Sequence, residues 1–182
     1  MTHQDLSAPH HPLANEPFIF TPENREKVDS CIHRYPPGRQ ASAVLPLLDL
    51  AQRQCGGWLP HQAIEAVAAM LKMPPIRVHE VASFYTMFNL KPVGKHHVQV
   101  CRTTPCWLRG SEDIKAACES HLGIQTGQVT PNGKFSIVEV ECLGACVNAP
   151  VVQINDDYYE NLTPESVKSL LTSLASSRGD KS

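Results

Sequence analysis

The spacing of apolar positions changes near residue 90 and divides the chain into two parts. Before that point, apolar residues recur at intervals of three and four, which is the spacing of an amphipathic helix. Proline and glycine interrupt the pattern at 36–38, 56–57 and 74–75. Four helices are predicted, beginning near Thr21, Val44, Pro60 and Pro75. Short amphipathic helices joined by tight turns predict a small helical bundle.

The second part alternates between extended and helical patterns. "HVQV" predicts a short strand, and "KFSIVEVE" (134–141) is apolar on both faces, which is typical of a central strand. Ser111 is the expected N-cap of a helix between them. "VVQI" and "YYENL" flank a turn at 155–157 and predict a hairpin, after which Thr163 and Pro164 begin a last helix. This order predicts a small α/β layer of about the size of thioredoxin.

These patterns give an expected division of the chain and an α+β fold class. The fold class is an N-terminal small helical bundle followed by an α/β domain. The predicted boundaries are a polar arm at 1–19, the helical bundle at 20–90, the α/β domain at 91–176 and a polar tail at 177–182.

Composition and charge exclude several classes of partner. The net charge is −2 with acids and bases interspersed, so no nucleic-acid partner is expected. No apolar stretch approaches the roughly 20 residues of a membrane span. Residues 1–24 contain no Lys or Arg, so we expect neither a transit peptide nor a secretory signal, unless the chain is already processed. The chain has no glycine-rich phosphate loop, so we do not expect it to bind NADH or flavin by such a device.

Four of the seven cysteines follow predicted strands. Without a secretory signal, reduced thiols are expected rather than disulfides. Cys101 and Cys106 form a C-x4-C pair, and Cys142 and Cys146 form a C-x3-C pair 35 residues further on. Because each pair follows a strand, we expect the two loops to face each other at one edge of the sheet.

Two facing thiolate pairs can bind either of two kinds of metal centre. They can hold a [2Fe–2S] cluster, with one iron at each pair, or a single tetrahedral zinc. The loops are longer than the tight C-x2-C knuckles of zinc ribbons, which favours iron–sulfur. Thr103 and Thr104 offer donors near the sulfurs, and Gly144 allows close approach of the backbone. The spacing alone leaves both alternatives open.

The remaining cysteines and one histidine pair have simpler interpretations. Cys31, Cys55 and Cys118 each fall on an apolar helical stripe and are expected to be buried core thiols. His96 and His97 begin a strand and are expected to be a surface pair rather than metal ligands.

Longer motifs carry a resemblance to a known family. "VCRTTPCWLRG" and "VEVECLGACVNAPVVQINDDYYENLTPE" resemble the [2Fe–2S] subunit of the NADH-dehydrogenase arm of respiratory complex I. This family comprises the E subunit of bacterial NADH-quinone oxidoreductase and the mitochondrial NADH dehydrogenase flavoprotein 2. "AVLPLLDLAQRQCGGWLP" and "PPIRVHEVASFYTMFNLKPVGKHHVQVC" are similar to its helical half. The resemblance runs from about Phe18 to Leu174.

The resemblance implies a fold, a cofactor and an assembly. The second domain would be a thioredoxin-like ferredoxin domain holding one [2Fe–2S] cluster, and the family's ligands fall on Cys101, Cys106, Cys142 and Cys146. FMN and NADH would be bound by a partner subunit, and a large iron–sulfur subunit would be a second partner. The chain would then be an electron-transfer subunit of a proton-translocating NADH:quinone oxidoreductase, without catalysis of its own.

The implied location is the peripheral arm of complex I, with only indirect membrane association. That arm lies on the matrix side of the mitochondrial inner membrane or the cytoplasmic face of a bacterial one. Two alternatives stay open: a diaphorase subunit of an NAD-linked hydrogenase or formate dehydrogenase, and a structural Zn(Cys)4 module. An aromatic run of Phe84, Tyr85 and Phe88 is expected either to face a partner or to belong to the core.

Overall fold

A computed structural model describes residues 17–176. Most of the predicted polar arm at 1–19 and the whole of the predicted tail at 177–182 lie outside the described residues. The chain forms two compact units, the first ending at Pro92 and the second beginning at Val93. None of the helices in the described range is both long enough and apolar enough to cross a bilayer.

The first unit consists of four α-helices, as its apolar periodicity predicts. They are α1 (Pro22–His33), α2 (Val44–Gln54), α3 (His61–Leu71) and α4 (Pro75–Phe84), with a 3-10 turn at Gln40–Ala43. Thr21 is the N-cap of α1, since its side chain accepts a hydrogen bond from the Asn24 N–H at 3.3 Å. At the other end of the bundle, α4 begins with Pro75 at its first position, where proline needs no backbone donor.

The core of the first unit is apolar and contains part of the predicted aromatic run. Leu47, Leu48 and Ile64 are among its fully buried side chains. Phe88 is also buried there, whereas Phe84 and Tyr85 are exposed at the end of α4. The aromatic run therefore divides, with one ring in the core and two at the surface.

Two of the three cysteines predicted to be core thiols are buried. Cys55 lies in the core of the first unit and Cys118 in that of the second, and burial raises their pKa values to about 11 and about 12. These two thiols therefore keep their protons at neutral pH. Cys31 is only half-buried and packs against the first core from its side.

The second unit is a four-stranded sheet with helices. Its strands are β1 (His96–Cys101), β2 (Phe135–Val140), β3 (Val152–Ile154) and β4 (Asp157–Tyr159), and its helices are α5 (Thr104–Leu108), α6 (Ser111–Leu122) and α7 (Pro164–Ser176). The strand order is β2-β1-β3-β4. β1 and β2 are parallel, and the other two pairings are antiparallel. The predicted hairpin is β3–β4.

The expectation that "KFSIVEVE" is a central strand is wrong, because β2 lies at one end of the strand order. The segment 127–130 runs along its outer side. The Gly127 N–H donates to the Ile137 carbonyl at 2.7 Å, and the Thr130 N–H donates to the Phe135 carbonyl at 2.8 Å. An apolar pattern on both faces reports burial of the side chains, and it does not report how many strands flank the strand.

The predicted cap at Ser111 is also wrong, whereas the predicted start of the last helix at Thr163 and Pro164 is correct. Ser111 is the first residue of α6 and Gly110 occupies the N-cap with φ +90°. The Ser111 side chain is buried, and its hydroxyl has no hydrogen-bond partner among residues 17–176. At α7 the Thr163 hydroxyl accepts from the Ser166 N–H at 3.2 Å.

The prediction of a surface pair at His96 and His97 is wrong, because both residues are half-buried at the start of β1. The His97 Nδ1 lies 2.7 Å from the Ser136 hydroxyl, which also accepts a hydrogen bond from the Gly94 N–H at 3.0 Å. Burial lowers the pKa of His97 to about 4. His97 is therefore neutral at pH 7.

The buried His97 should make the second unit sensitive to acid. Its pKa is lower in the folded chain than in the unfolded chain, so the unfolded chain binds more protons between about pH 6.5 and pH 4. The free energy of unfolding should fall by up to about 3 kcal/mol as the pH drops through that window. Replacing His97 by glutamine, which keeps an acceptor for Ser136, should flatten this dependence in urea unfolding curves.

The matched control is His33→Gln, because His33 is exposed and lies in the first unit. This variant should leave the acid sensitivity of the second unit unchanged. Equal slopes for the wild type and His97→Gln between pH 6.5 and pH 4 would contradict the assignment of this sensitivity to His97.

Candidate metal centre

The parallel pairing of β1 and β2 brings the two cysteine pairs to the same edge of the sheet. The register runs from His96 opposite Phe135 to Cys101 opposite Val140. Cys101 therefore ends β1, and Cys142 follows β2 by two residues. Because parallel strands end at the same edge, the loops after them meet there. The geometry expected for the two loops is thus present.

The first pair is buried. Cys101 and Cys106, the latter on α5, are each 1% exposed and share a small apolar cluster with Ala149 and Val151. The Thr103 hydroxyl oxygen lies 3.4 Å from the Cys101 sulfur, as the expectation of a threonine donor required. Cys101 and Cys106 are therefore shielded from water, and the Thr103 hydroxyl lies within hydrogen-bond distance of one of the two sulfurs.

The thiols of the buried pair differ in their affinity for a proton. Burial favours the neutral form of Cys101, but hydrogen bonds from Thr103 and the Leu143 backbone outweigh burial and lower its pKa. Burial raises the pKa of Cys106 to about 11, and its hydrogen bond to Cys101 acts in the same direction. Without metal, Cys106 therefore keeps its proton and donates it towards Cys101.

The second pair is exposed and lies in the loop after β2. The Cys142 and Cys146 sulfurs are 3.5 Å apart, and the Gly144 N–H donates to the Cys142 sulfur at 3.3 Å. That N–H lowers the pKa of Cys142, whereas donation to Cys142 raises the pKa of Cys146. Gly144 has φ +84°, a conformation that favours glycine. The expected donation from the backbone of this loop is therefore realised at Gly144.

The four thiols lie close enough to influence each other, but they are grouped two by two. Negative charge on Cys101 acts against ionisation of both Cys142 and Cys146, although hydrogen bonds still leave the pKa of Cys142 lowered, so the two pairs are connected electrostatically. Within residues 17–176, no three His, Cys, Asp or Glu side chains are arranged to hold one ion. Two pairs of thiolates suit a dinuclear centre that takes two ligands at each metal. The donor set therefore fits a [2Fe–2S] cluster.

The loop 142–148 is anchored at both ends by the chain from β4 onward, which the sequence analysis did not foresee. The Tyr158 hydroxyl donates to the Leu143 carbonyl at 3.0 Å. The Asn161 N–H donates to the Asn148 carbonyl at 2.7 Å, and the Asn148 side chain donates to Glu160. The alternation of residues along the hairpin indicates which side Tyr158 faces, but nothing in the sequence indicates its acceptor.

Exposed apolar side chains flank both cysteine pairs. Trp107 and Leu108 follow Cys106 on α5, and Val147 follows Cys146. They are 58%, 71% and 97% exposed, and we call these three residues the apolar rim. Large apolar side chains at this exposure are typical of surfaces that contact another protein.

The fold and the thiol set define an iron–sulfur electron-transfer protein. The sequence matches the thioredoxin-like [2Fe–2S] ferredoxin family over residues 28–175. The chain belongs to this family, and within it to the E subunits of NADH-quinone oxidoreductase. The predicted resemblance and the α+β, thioredoxin-like fold class are thereby confirmed, and the function of the chain is electron transfer.

Two curated relatives are similar over most of the chain. The E subunit of NADH-quinone oxidoreductase from Rickettsia bellii is 63% identical over 157 residues, which cover 86% of this chain and 94% of the relative. The mitochondrial NADH dehydrogenase [ubiquinone] flavoprotein 2 of Dictyostelium discoideum is 54% identical over 165 residues, covering 91% of this chain and 67% of that protein. Both bacterial and mitochondrial proteins are thus similar to this chain.

A solved structure supports the fold alone. One chain of an NAD+-reducing [NiFe]-hydrogenase in the H2-reduced state aligns with a TM-score of 0.64 at 22% identity. The alignment covers 74% of this chain and 23% of that one. The likeness extends the fold to a second kind of oxidoreductase without assigning that activity here.

Proposed function

We propose that Cys101, Cys106, Cys142 and Cys146 ligate one [2Fe–2S] cluster, through which the chain exchanges single electrons with the flavin of a partner subunit. The observation that carries this proposal is the meeting of two thiol pairs at the end of β1 and β2. The partner would bind FMN and oxidise NADH in the NADH-dehydrogenase arm of complex I. The proposal also takes the large iron–sulfur subunit of that complex as a neighbour.

The residues of the chain would hold the cluster and set its surroundings. When bound, a [2Fe–2S] cluster supplies one-electron chemistry and gains one negative charge on reduction. The Gly144 N–H and the Thr103 hydroxyl stabilise negative charge on the sulfurs of Cys142 and Cys101. Burial of Cys101 and Cys106 keeps water away from one side. Protonated thiols must lose their protons on metal binding, and burial makes this most costly at Cys106.

The exposed pair and the apolar rim are the parts of the site available to a partner. Cys142 and Cys146 are at the surface, so electron exchange is proposed to take place on their side. The exposed Phe84 and Tyr85 of the first unit are proposed as a further contact. The location proposed is the peripheral arm, on the mitochondrial matrix side or the bacterial cytoplasmic face.

The alternatives have less support than complex I. The likeness to the hydrogenase chain is at 22% identity, whereas the Rickettsia bellii relative is 63% identical over 86% of this chain. A structural Zn(Cys)4 module has less support because the sequence matches the thioredoxin-like [2Fe–2S] ferredoxin family over residues 28–175.

The full chain, reconstituted with iron and sulfide, should be reducible by dithionite but not by NADH. Dithionite should bleach its visible absorption and produce the EPR signal of a reduced [2Fe–2S] cluster. NADH should leave the spectrum unchanged, because the chain has no site for NADH or flavin of its own in this proposal. Adding the flavin-binding partner with NADH should then allow reduction.

The control is the same chain refolded with zinc, which should be colourless and silent in EPR. A colourless iron-treated chain with one zinc per molecule would refute the cluster. Bleaching by NADH alone would refute the proposal that NADH is oxidised by a flavin-binding partner and not by this chain.

A further inference from the structure

One peptide group in the loop 142–148 is held at both of its ends. Its carbonyl, on Leu143, accepts a hydrogen bond from the Tyr158 hydroxyl at 3.0 Å. Its N–H, on Gly144, donates to the Cys142 sulfur at 3.3 Å. Because a trans peptide group is planar, its C=O and N–H point in opposite directions. Fixing the carbonyl on one side therefore aims the N–H at the sulfur on the other.

We propose that Tyr158 is a positioning residue for the cluster, holding the peptide group of Leu143 and Gly144 so that its N–H is directed at Cys142. The inference rests on the proposed function, because it requires Cys142 to be a ligand. Tyr158 acts through the peptide group, as outer-shell residues act on the ligands of other metal sites.

The position of Tyr158 suits this role because it lies on a regular element. β4 pairs with β3, and Tyr158 lies opposite Gln153 in that register. The peptide group that it holds lies in an exposed loop, where a water molecule would otherwise compete for the carbonyl. Strand pairing fixes the backbone from which the Tyr158 side chain reaches the carbonyl, whereas a water molecule exchanges.

The conformation of Gly144 makes this support necessary. Gly144 has φ +84°, and no heavy atom outside Gly144 and its two chain neighbours lies within 4 Å of the position a Cβ would occupy. Gly144 itself has no side chain to hold the backbone at this point, although its neighbours Leu143 and Ala145 pack against the small apolar cluster. Glycine is also the residue with the widest range of backbone conformations. The Tyr158 hydrogen bond adds a directional restraint on the Leu143 carbonyl to the packing of these neighbouring side chains.

The orientation of this N–H affects the reduction potential. A hydrogen bond to a ligand sulfur stabilises the reduced cluster more than the oxidised one, because the reduced cluster carries more negative charge. Losing the hydroxyl of Tyr158 should therefore make the reduction potential more negative and make the cluster easier to remove. A residue with a merely structural role would alter the melting temperature without shifting the potential.

The test is Tyr158→Phe in the full chain loaded with [2Fe–2S], measured by an EPR-monitored redox titration. The midpoint should be more negative than that of the wild type, and EDTA should remove the cluster about tenfold faster. The matched control is Tyr159→Phe on the same strand, whose ring packs against the core of the sheet. Its midpoint and rate of cluster loss should equal those of the wild type.

A second variant keeps the test decisive if Tyr158→Phe does not fold. Gly144→Ala disfavours the left-handed conformation without a steric clash, so it should shift the midpoint in the same direction. Gly127→Ala is its control, since Gly127 has φ +87° and equally open space in a different loop. A Tyr158→Phe midpoint equal to that of the wild type, or a Gly144→Ala midpoint equal to that of Gly127→Ala, overturns the positioning role. A wild-type chain that binds no cluster refutes the proposed function instead.

Discussion

Replacing Cys142 by alanine should abolish the [2Fe–2S] EPR signal of the reconstituted chain. Alanine removes one of the four proposed sulfur ligands, and the neighbouring Cys146 would then be alone at its metal. Changes in outer-shell residues already lower metal affinity by about 10- to 100-fold, so loss of a ligand should exceed that range. Iron and acid-labile sulfide per chain, measured beside the EPR signal, should fall together.

The matched control for this experiment is Cys31→Ala. Cys31 is half-buried against the core of the first unit and is not among the proposed ligands. This variant should keep its full iron content and an unchanged signal. Alanine is preferable to serine at Cys142, because a serine oxygen can itself ligate iron. A full wild-type signal from Cys142→Ala would refute the ligand assignment.

Gly94→Ala should destabilise the second unit by about 3 kcal/mol, at the upper end of the range for overpacking. A Cβ at this position would lie 2.3 Å from the Phe135 carbonyl carbon and 2.6 Å from the Ser136 nitrogen. Both atoms belong to the backbone of β2, so no side chain can rotate away. For a unit of this size, the melting temperature should fall by roughly 15 °C.

The same substitution should weaken cluster binding from a distance. The clash lies at the start of β2, and the pairing of β2 with β1 is what brings the two thiol pairs together. Lys95→Ala is the control, because it changes an exposed side chain in the same segment and adds no atom beside β2. Equal melting temperatures for Gly94→Ala and the wild type would contradict the close approach.

The sequence predicted well the features that depend on neighbouring residues. Helical periodicity located α1 to α4, because each helix buries one stripe of side chains in the same core. The hairpin of β3 and β4 followed from its turn residues at 155–157. Each cysteine pair follows a strand in the sequence, which indicated that the pairs could meet. The parallel register of β1 and β2 brings them to the same edge of the sheet.

Features that depend on distant segments were predicted poorly. The position of β2 in the sheet depends on which segments pair with it, and its own pattern reports only burial. The surface position predicted for His97 is wrong because the Ser136 hydroxyl that it contacts lies 39 residues away in the sequence. The contact of Tyr158 with Leu143 joins residues 15 positions apart, from a strand to a loop, and leaves no periodic signal.

The segment 127–130 has a consequence for the behaviour of the chain before assembly. By pairing with residues 135–137, it occupies backbone donors and acceptors in the first half of β2 that would otherwise be open to a strand from another molecule. The opposite margin of the sheet in residues 17–176 is β4, which is three residues long and begins with a charged aspartate. The sheet therefore leaves only short stretches of unpaired strand backbone for the addition of a strand from another molecule.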